Sequence, residues 1–290
     1  MKKKVALVLS GGGARGIAHI GAIEELERQG YEISSIAGTS MGAVVGGVYA
    51  QGKLEEFKDW MLTLDRKKVF SLVDFTLSRQ GLIKGDKVFN AMQDFIPDTD
   101  IRDLKIPYAA VAVDLNKMDE VVFRSGSLYE AIRASVSIPT VLTPVERGDA
   151  LLVDGGVMNN IPVNVVERHK RDKLVVVNVN ANIPKTEIVT SSNEVAESSS
   201  IYNKKIREFQ AHLKKILPGK DDDDLGYFDL ISRTISSMIY HNAQLNLEKY
   251  NPDILIEVSR YSCGTYDFFK ADELVEIGRM AASEAFLRSD

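Results

Sequence analysis

Apolar and polar residues follow one another along this chain in two alternating periods, one of strands and one of helices. Val5-Ala6-Leu7-Val8-Leu9 is an unbroken apolar run that stops at Ser10-Gly11-Gly12-Gly13, the pattern of a buried strand closed by a glycine turn. Beyond it Ile17, Ile20, Ala22, Ile23 and Leu26 recur at near-helical spacing up to Gly30, with Glu24, Glu25, Glu27 and Arg28 on the other side. Ile33 to Ala37 predicts a second strand, Ser40 to about Ala50 a second helix, and Leu54 to Leu64 a third. Two strand-helix units in succession predict a largely parallel sheet covered by helices.

The pattern then loosens. From Ser71 to Gly85 no period survives, and Asp86 caps a predicted helix through Phe95. Tyr108 to Val113, Glu120 to Phe123 and Ala150 to Val153 read as strands, and Ser127 to Ala134 as a helix. Pro162 predicts the start of a helix through Glu167, and Lys173 to Val179 is the most strand-like stretch in the chain. Thr186 to Ser200 turns polar and serine-rich, and Ile201 to Leu217 aligns Ile206, Phe209, Leu213, Ile216 and Leu217 on one face among five basic residues. The run Asp221 to Asp224 reads as a solvated loop. A helix over Phe228 to Leu247, a strand over Ile254 to Val258 and a helix over Ala271 to Leu287 close the chain. The expectation is an α/β fold of three layers, α/β/α, with a mainly parallel central sheet. The 290 residues are expected to form a single domain carrying a variable insertion at about 183–228.

Composition narrows the partners. With 36 Lys and Arg against 41 Asp and Glu, the net charge of -5 offers no global field for nucleic acid. The lone Cys263 excludes an internal disulfide and any zinc site built from several thiolates, and fits a reduced, cytoplasmic compartment. The lysines at 2–4 followed by apolar residues resemble a signal peptide, but the run is only five residues long and reads better as the first strand. Nothing approaches the ~18 apolar residues of a membrane span, so any membrane contact is expected to be peripheral, through 201–217. A helix that packs the same apolar face on the sheet explains 201–217 equally well.

Three glycine-rich turns carry the candidate chemistry. Gly38-Thr39-Ser40-Met41-Gly42 stands between a predicted strand and a predicted helix, where a sharp turn exposes the serine hydroxyl, so Ser40 is the candidate nucleophile. Gly11-Gly12-Gly13-Ala14-Arg15-Gly16 also joins a strand to a helix, and its N–H groups can converge on an anion. The spacing satisfies the dinucleotide pattern G-x-G-x-x-G. The acidic residue expected about 20 positions on is absent, however, because the next strand runs into Gly38-Thr39-Ser40. An oxyanion hole beside a serine elbow is the better reading. Asp154, followed by Gly155 and Gly156, ends a strand and can reach the same sheet edge as the candidate base; in isolation it would be read as a turn former. Its carboxyl needs burial to act near neutral pH. Four histidines stand as rivals. His19 is expected to point away from the glycine loop, while His169, His212 and His241 follow Asp154 in the order of an α/β-hydrolase.

Taken together, Gly-Gly-Gly-Ala-Arg-Gly, Gly-Thr-Ser-Met-Gly and Asp-Gly-Gly, in this order and at these intervals, resemble the patatin-like phospholipase family, most of all its compact bacterial branch. The stretch Ala134-Ser135-Val136-Ser137-Ile138-Pro139, ending in Thr143-Pro144, resembles the family's block before the aspartate, and Thr265 to Ala271 with Gly278 resembles the bacterial closing segment. The likeness covers residues 5 to about 180 and 240 to 288; Ile183 to Phe228 matches no family motif. It implies a serine hydrolase with a Ser40–Asp154 dyad, no histidine, no metal and no cofactor. Its oxyanion hole would be Gly11, Gly12, Gly13 and Arg15, its motif glycines Gly16, Gly38, Gly42, Gly155 and Gly156, and its substrates the acyl esters of lipids. Ser10 departs from the plant-type aspartate before the glycines. The Arg15 side chain stands open between orienting the loop and meeting an anionic head group. The rival from another class is a lipid or acyl-chain binding protein that keeps the pocket without turnover.

Overall fold

The computed structural model describes residues 3–74, 83–139, 141–185 and 227–289. The predicted helix over 201–217, the polar stretch before it, His212 and the acidic run at 221–224 lie outside the described residues.

Five strands form a parallel core. β1 (Lys3–Leu9) pairs with β2 (Tyr31–Thr39) on one side and β7 (Lys173–Ala181) on the other. β3 (Tyr108–Asp114) extends it beyond β2, and β8 (Ile254–Ser259) beyond β7. Val5 to Leu9 and Leu174 to Val177 are wholly or almost wholly buried, which is what continuous apolar runs in a doubly covered parallel sheet require. Three antiparallel strands complete it: β4 (Asp119–Phe123) in a hairpin with β3, then β5 (Val145–Arg147) and β6 (Ala150–Asp154). The sheet is therefore mixed, with parallel pairing at the strands that lead into the first two glycine turns and antiparallel pairing at β6, which leads into the third.

Helices cover both faces. On one, α1 (Ala18–Arg28), α2 (Met41–Gln51), α6 (Leu128–Ser135) and α9 (Ala271–Ser289) pack in one apolar cluster with Val5, Leu7 and Leu9. Around them stand α3 (Leu54–Leu62), α4 (Arg66–Ser71) and α5 (Asp86–Gln93). On the other face Val8, Leu174 and Val176 meet Ile161, Val163 and Ala243, the last from α8 (Tyr227–Tyr250). The three-layer expectation holds. One predicted helix does not form: after Pro162 only a single 3₁₀ turn, Val163–Val165, is made and Val166 is extended. Val165 and Val166 fill the sheet face beside Ala37, Ala109 and Val111 while Val163 packs with Val8 and Val176, and β-branched residues favour that extended course. The four-residue helix α7 (Gly156–Asn159) and the short strand β5 escaped the periodicity reading, being too brief to show one.

The closest approach in the helical layers is α1 against α9. A Cβ on Gly278 would stand 1.9 Å from the Ala18 carbonyl oxygen, and one on Gly21 would stand 1.8 Å from that of Val275. Main chain therefore touches main chain, and no side-chain rotation can relieve an added methyl. Gly278→Ala is expected to lower stability by about 1–3 kcal/mol, as core overpacking does. The urea midpoint would fall at unchanged slope; an unmoved midpoint would mean that the helices separate freely.

Candidate active site

The strand-to-helix turn between β2 and α2 holds Ser40 at φ 55°, ψ -126°. A non-glycine residue pays on the order of 1–3 kcal/mol for such a backbone, so its surroundings must impose it. The Ser40 N–H donates to Ser135 Oγ at 2.9 Å, and that hydroxyl donates onward to the Val111 carbonyl at 2.6 Å. The Ser40 carbonyl accepts from Ala43 and Val44 at 2.9 and 3.1 Å, which starts the helix. Gly42 lets the turn close on β1, since a Cβ there would lie 2.3 Å from the Leu9 carbonyl oxygen. Gly38 in turn lies under Gly42, and Gly16 under Met41.

Asp154 reaches this turn by an unexpected route. On one edge of β3, Val111 and Ala112 both pair with β4. On the other edge Val111 pairs with Thr39 of β2, and the next residue, Ala112, pairs with Asp154 of β6. The two strands thus run toward each other along a single edge of β3 and meet end to end, which sets Ser40 against Asp154. The candidate base does stand at the carboxyl edge, but its strand is antiparallel to the core; register, and not a shared direction, brings it there. The Asp154 N–H donates to the Ser137 carbonyl at 2.9 Å, and its Oδ1 accepts from the Gly156 N–H at 2.7 Å. Gly155 packs over the Val111 carbonyl. The Ser40 side chain faces the Asp154 carboxylate and favours its anion. Burial, with Asp154 only 6% exposed, pushes its carboxyl up to about 6 against the opposing pull of the Ser40 and Gly156 hydrogen bonds.

The glycine loop lies alongside, and Ser40 Cβ is 3.1 Å from where a Cβ on Gly11 would stand. Its amides are not equivalent. The Gly11 N–H, expected among the oxyanion donors, is committed to the Asn160 carbonyl at 3.1 Å, and the Ala14 N–H to that of Thr265 at 2.9 Å. Gly13–Ile17 forms a 3₁₀ helix, whose i to i+3 pattern turns the Arg15 N–H inward on the Gly12 carbonyl. Arg15 is thereby also withdrawn from the donor set. The N–H groups of Gly12 and Gly13, at the helix N-terminus, have no partner among the described residues. The Arg15 side chain donates from Nη1 to the Arg260 carbonyl at 3.0 Å, and burial holds its pKa below the ordinary guanidinium value. It ties the loop to the turn after β8, which favours the orienting role over the head-group role.

Known proteins resemble this chain in sequence. A family model for patatin-like phospholipases matches residues 7–166. An uncharacterized NTE family protein of Mycobacterium tuberculosis (strain ATCC 25618 / H37Rv) is 33% identical, covering 97% of this chain and 91% of the relative. The chain belongs to the patatin-like phospholipase family. Lysophospholipase NTE1 of Scheffersomyces stipitis is 27% identical, covering 97% of this chain and 18% of that much longer protein. VipD from Legionella pneumophila, among solved structures, aligns at a TM-score of 0.49 and 15% identity, covering 99% of this chain and 67% of that one. Family membership supports a lipid hydrolase activity with lipid substrates. Among the described residues no helix is long and apolar enough to cross a membrane.

In this patatin-like chain none of the described histidines hydrogen-bonds Ser40 or Asp154. His19 does not point away from the loop. Helical side chains lean toward the helix N-terminus, so from the first turn of α1 its Nε2 reaches back to the Ser10 carbonyl at 2.8 Å. It is fully buried and burial lowers its pKa to about 4, so at neutral pH it is an uncharged donor supporting the end of β1. His169 precedes β7 at the opposite sheet edge, and His241 is exposed on α8. Ser135, from the family-like block before the aspartate, stands under the elbow, and two residues with no signal in the sequence, Asn160 and Asn180, complete the site at Gly11.

The buried carboxyl links function to stability. Because folding raises the Asp154 pKa from 3.8 to about 6, its contribution is full below pH 3.8 and is lost as pH rises through 6. Asp154→Asn removes the charge and keeps the shape. At pH 7.5 it is expected to be more stable than wild type by on the order of 2 kcal/mol, a difference that closes near pH 4. Urea midpoints at the two pH values test this. His19 titrates in both proteins and cancels, and equal midpoints at pH 7.5 would refute the buried ionised carboxylate.

Proposed function

We propose that this protein is a serine hydrolase of lipid acyl esters that uses Ser40 as nucleophile and Asp154 as its base, without histidine. The observation that carries the reading is Ser40, held on a strained elbow and set by strand register against a buried carboxylate whose pKa is raised to about 6. A base poised there is ionised at neutral pH yet basic enough to accept a proton.

In the proposed cycle Asp154 takes the Ser40 proton as Oγ attacks the ester carbonyl, and the N–H groups of Gly12 and Gly13 hold the oxyanion. Collapse expels the alcohol, which leaves with the proton from Asp154, and the acyl group stays on Ser40. Asp154 then deprotonates a water molecule, whose oxygen attacks the acyl-enzyme; the fatty acid departs and Ser40 recovers its proton. The substrates to try first are lysophospholipids, on the strength of the yeast relative's name, followed by diacyl phospholipids and simple esters.

Labelling with a fluorophosphonate, with the adduct mapped by mass spectrometry, tests the reading. Wild type is expected to label at Ser40 and Ser40→Ala to show no adduct. Asp154→Asn is expected to label at least ~100-fold more slowly, as loss of a general base does. The wild-type rate is expected to fall on the acid side around pH 6, where Asp154 gains its proton. His169→Ala and His241→Ala should keep the wild-type rate. A folded wild type with no adduct on Ser40, yet binding fatty acid, would leave the non-catalytic lipid-binding alternative in its place.

A further inference from the structure

We propose that Asn160 and Asn180 are positioning residues for the oxyanion hole: their carboxamides hold the Gly11 carbonyl so that the N–H of the same peptide unit, that of Gly12, faces Ser40. The assignment rests on the hydrolase reading above.

Gly11 is gripped on both sides. Its N–H donates to the Asn160 main-chain carbonyl at 3.1 Å. Its C=O accepts from the Asn180 side-chain amide and, at a longer 3.5 Å, from that of Asn160. A peptide unit is planar and trans, so the C=O of Gly11 and the N–H of Gly12 point in opposite directions as one rigid body. Fixing the carbonyl against two carboxamides therefore aims the amide. Ser40 Cβ lies 3.1 Å from the Cβ position of Gly11, so the peptide unit that the two carboxamides hold borders the nucleophile.

The two asparagines are themselves held. Asn160, 4% exposed, follows Asn159, whose carbonyl accepts from Thr39 Oγ1 at 2.8 Å, which fixes this stretch to the end of β2. Asn160 Oδ1 also lies against both Gly11 and Gly156, wedged between the glycine loop and the turn that follows Asp154. Asn180 stands in β7, and its own N–H donates to Asn178 Oδ1 at 3.0 Å. A glycine-rich loop is the least able of all segments to hold a peptide orientation unaided, so the aim must come from neighbours. The need is greatest in the transition state, where charge develops on the oxygen that the amide meets.

The test is a double-mutant cycle over Asn160→Ala and Asn180→Ala, read as kcat and KM on a soluble acyl ester and as affinity for a trifluoromethyl ketone. The ketone forms a hemiketal on Ser40 and places its oxyanion in the same hole. Asn180→Ala is expected to lower kcat by roughly 10-fold, short of the 10²–10³ lost with a donor itself, at near-constant KM. Asn160→Ala should have a smaller effect, and the double variant should lose more than the product of the single losses, because each amide backs up the other. Ketone affinity should fall in parallel with kcat. Asn180→Asp keeps the side-chain volume and sets an acceptor against the carbonyl, so it should lose at least as much as the alanine variant while remaining folded. Thermal midpoints identify the folded variants. A wild type without a Ser40 adduct overturns the hydrolase reading and this assignment with it. A labelled wild type matched in kcat and ketone affinity by folded Asn180→Asp and by the double variant overturns this assignment alone.

Discussion

The site depends on two strands meeting end to end. β2 and β6 approach along one edge of β3 and stop at adjacent rungs, Val111 and Ala112, so that Ser40 and Asp154 face each other with no intervening element. Hydrogen-bond register is a coarse but rigid ruler, because a slip of one residue would turn the aspartate to the opposite face of the sheet. The remaining supports serve this meeting point. Ser135 bridges Ser40 to β3, Ser137 holds the Asp154 amide, and Thr39 ties the end of β2 to the chain just past Asp154. A sheet that was parallel throughout would bring Asp154 to the same edge only one full strand-width away.

Much of this was legible beforehand. Apolar runs mark β1, β2 and β7, the first two closed by glycine turns, because buried parallel strands leave no polar face to interrupt the pattern. The elbow was legible from glycines flanking a serine between a strand and a helix. Strand direction was not: Ala150 to Asp154 reads the same whether it runs with or against β3, since side-chain alternation carries no polarity. The stretch after Pro162 failed for a related reason, because a proline start signals a helix while its valines answer to the sheet they cover. Sequence distance from the loop puts His19 on the far side of α1, whereas the backward lean of helical side chains brings it to the Ser10 carbonyl. Asn160 and Asn180 left no trace, because an asparagine near a proline or in a strand has ordinary local explanations. Their contacts with Gly11 span 149 and 169 residues.

The electrostatic arrangement is equally local. Asp154 and His19 are both buried, and burial moves both toward their uncharged forms, the acid upward and the base downward. They nevertheless differ in what surrounds them. Asp154 receives hydrogen bonds that favour its anion, from Ser40 and Gly156, whereas the Nδ1 of His19 has no partner among the described residues. One group is kept within reach of ionisation and the other is held neutral as a strut.

The close crossing of α1 and α9 gives the site an order of assembly. α1 continues from the glycine loop, and it can settle only when Gly278 admits the Ala18 carbonyl. Thr265 and Arg260, which hold Ala14 and Arg15, are also made late. On a ribosome, where folding proceeds from the N-terminus, Ser40 and Asp154 emerge and can meet roughly a hundred residues before these supports exist. A nascent chain can thus bring Ser40 to Asp154 while the glycine-loop amides beside them are still loose, and the arrangement is completed only as the last helix docks.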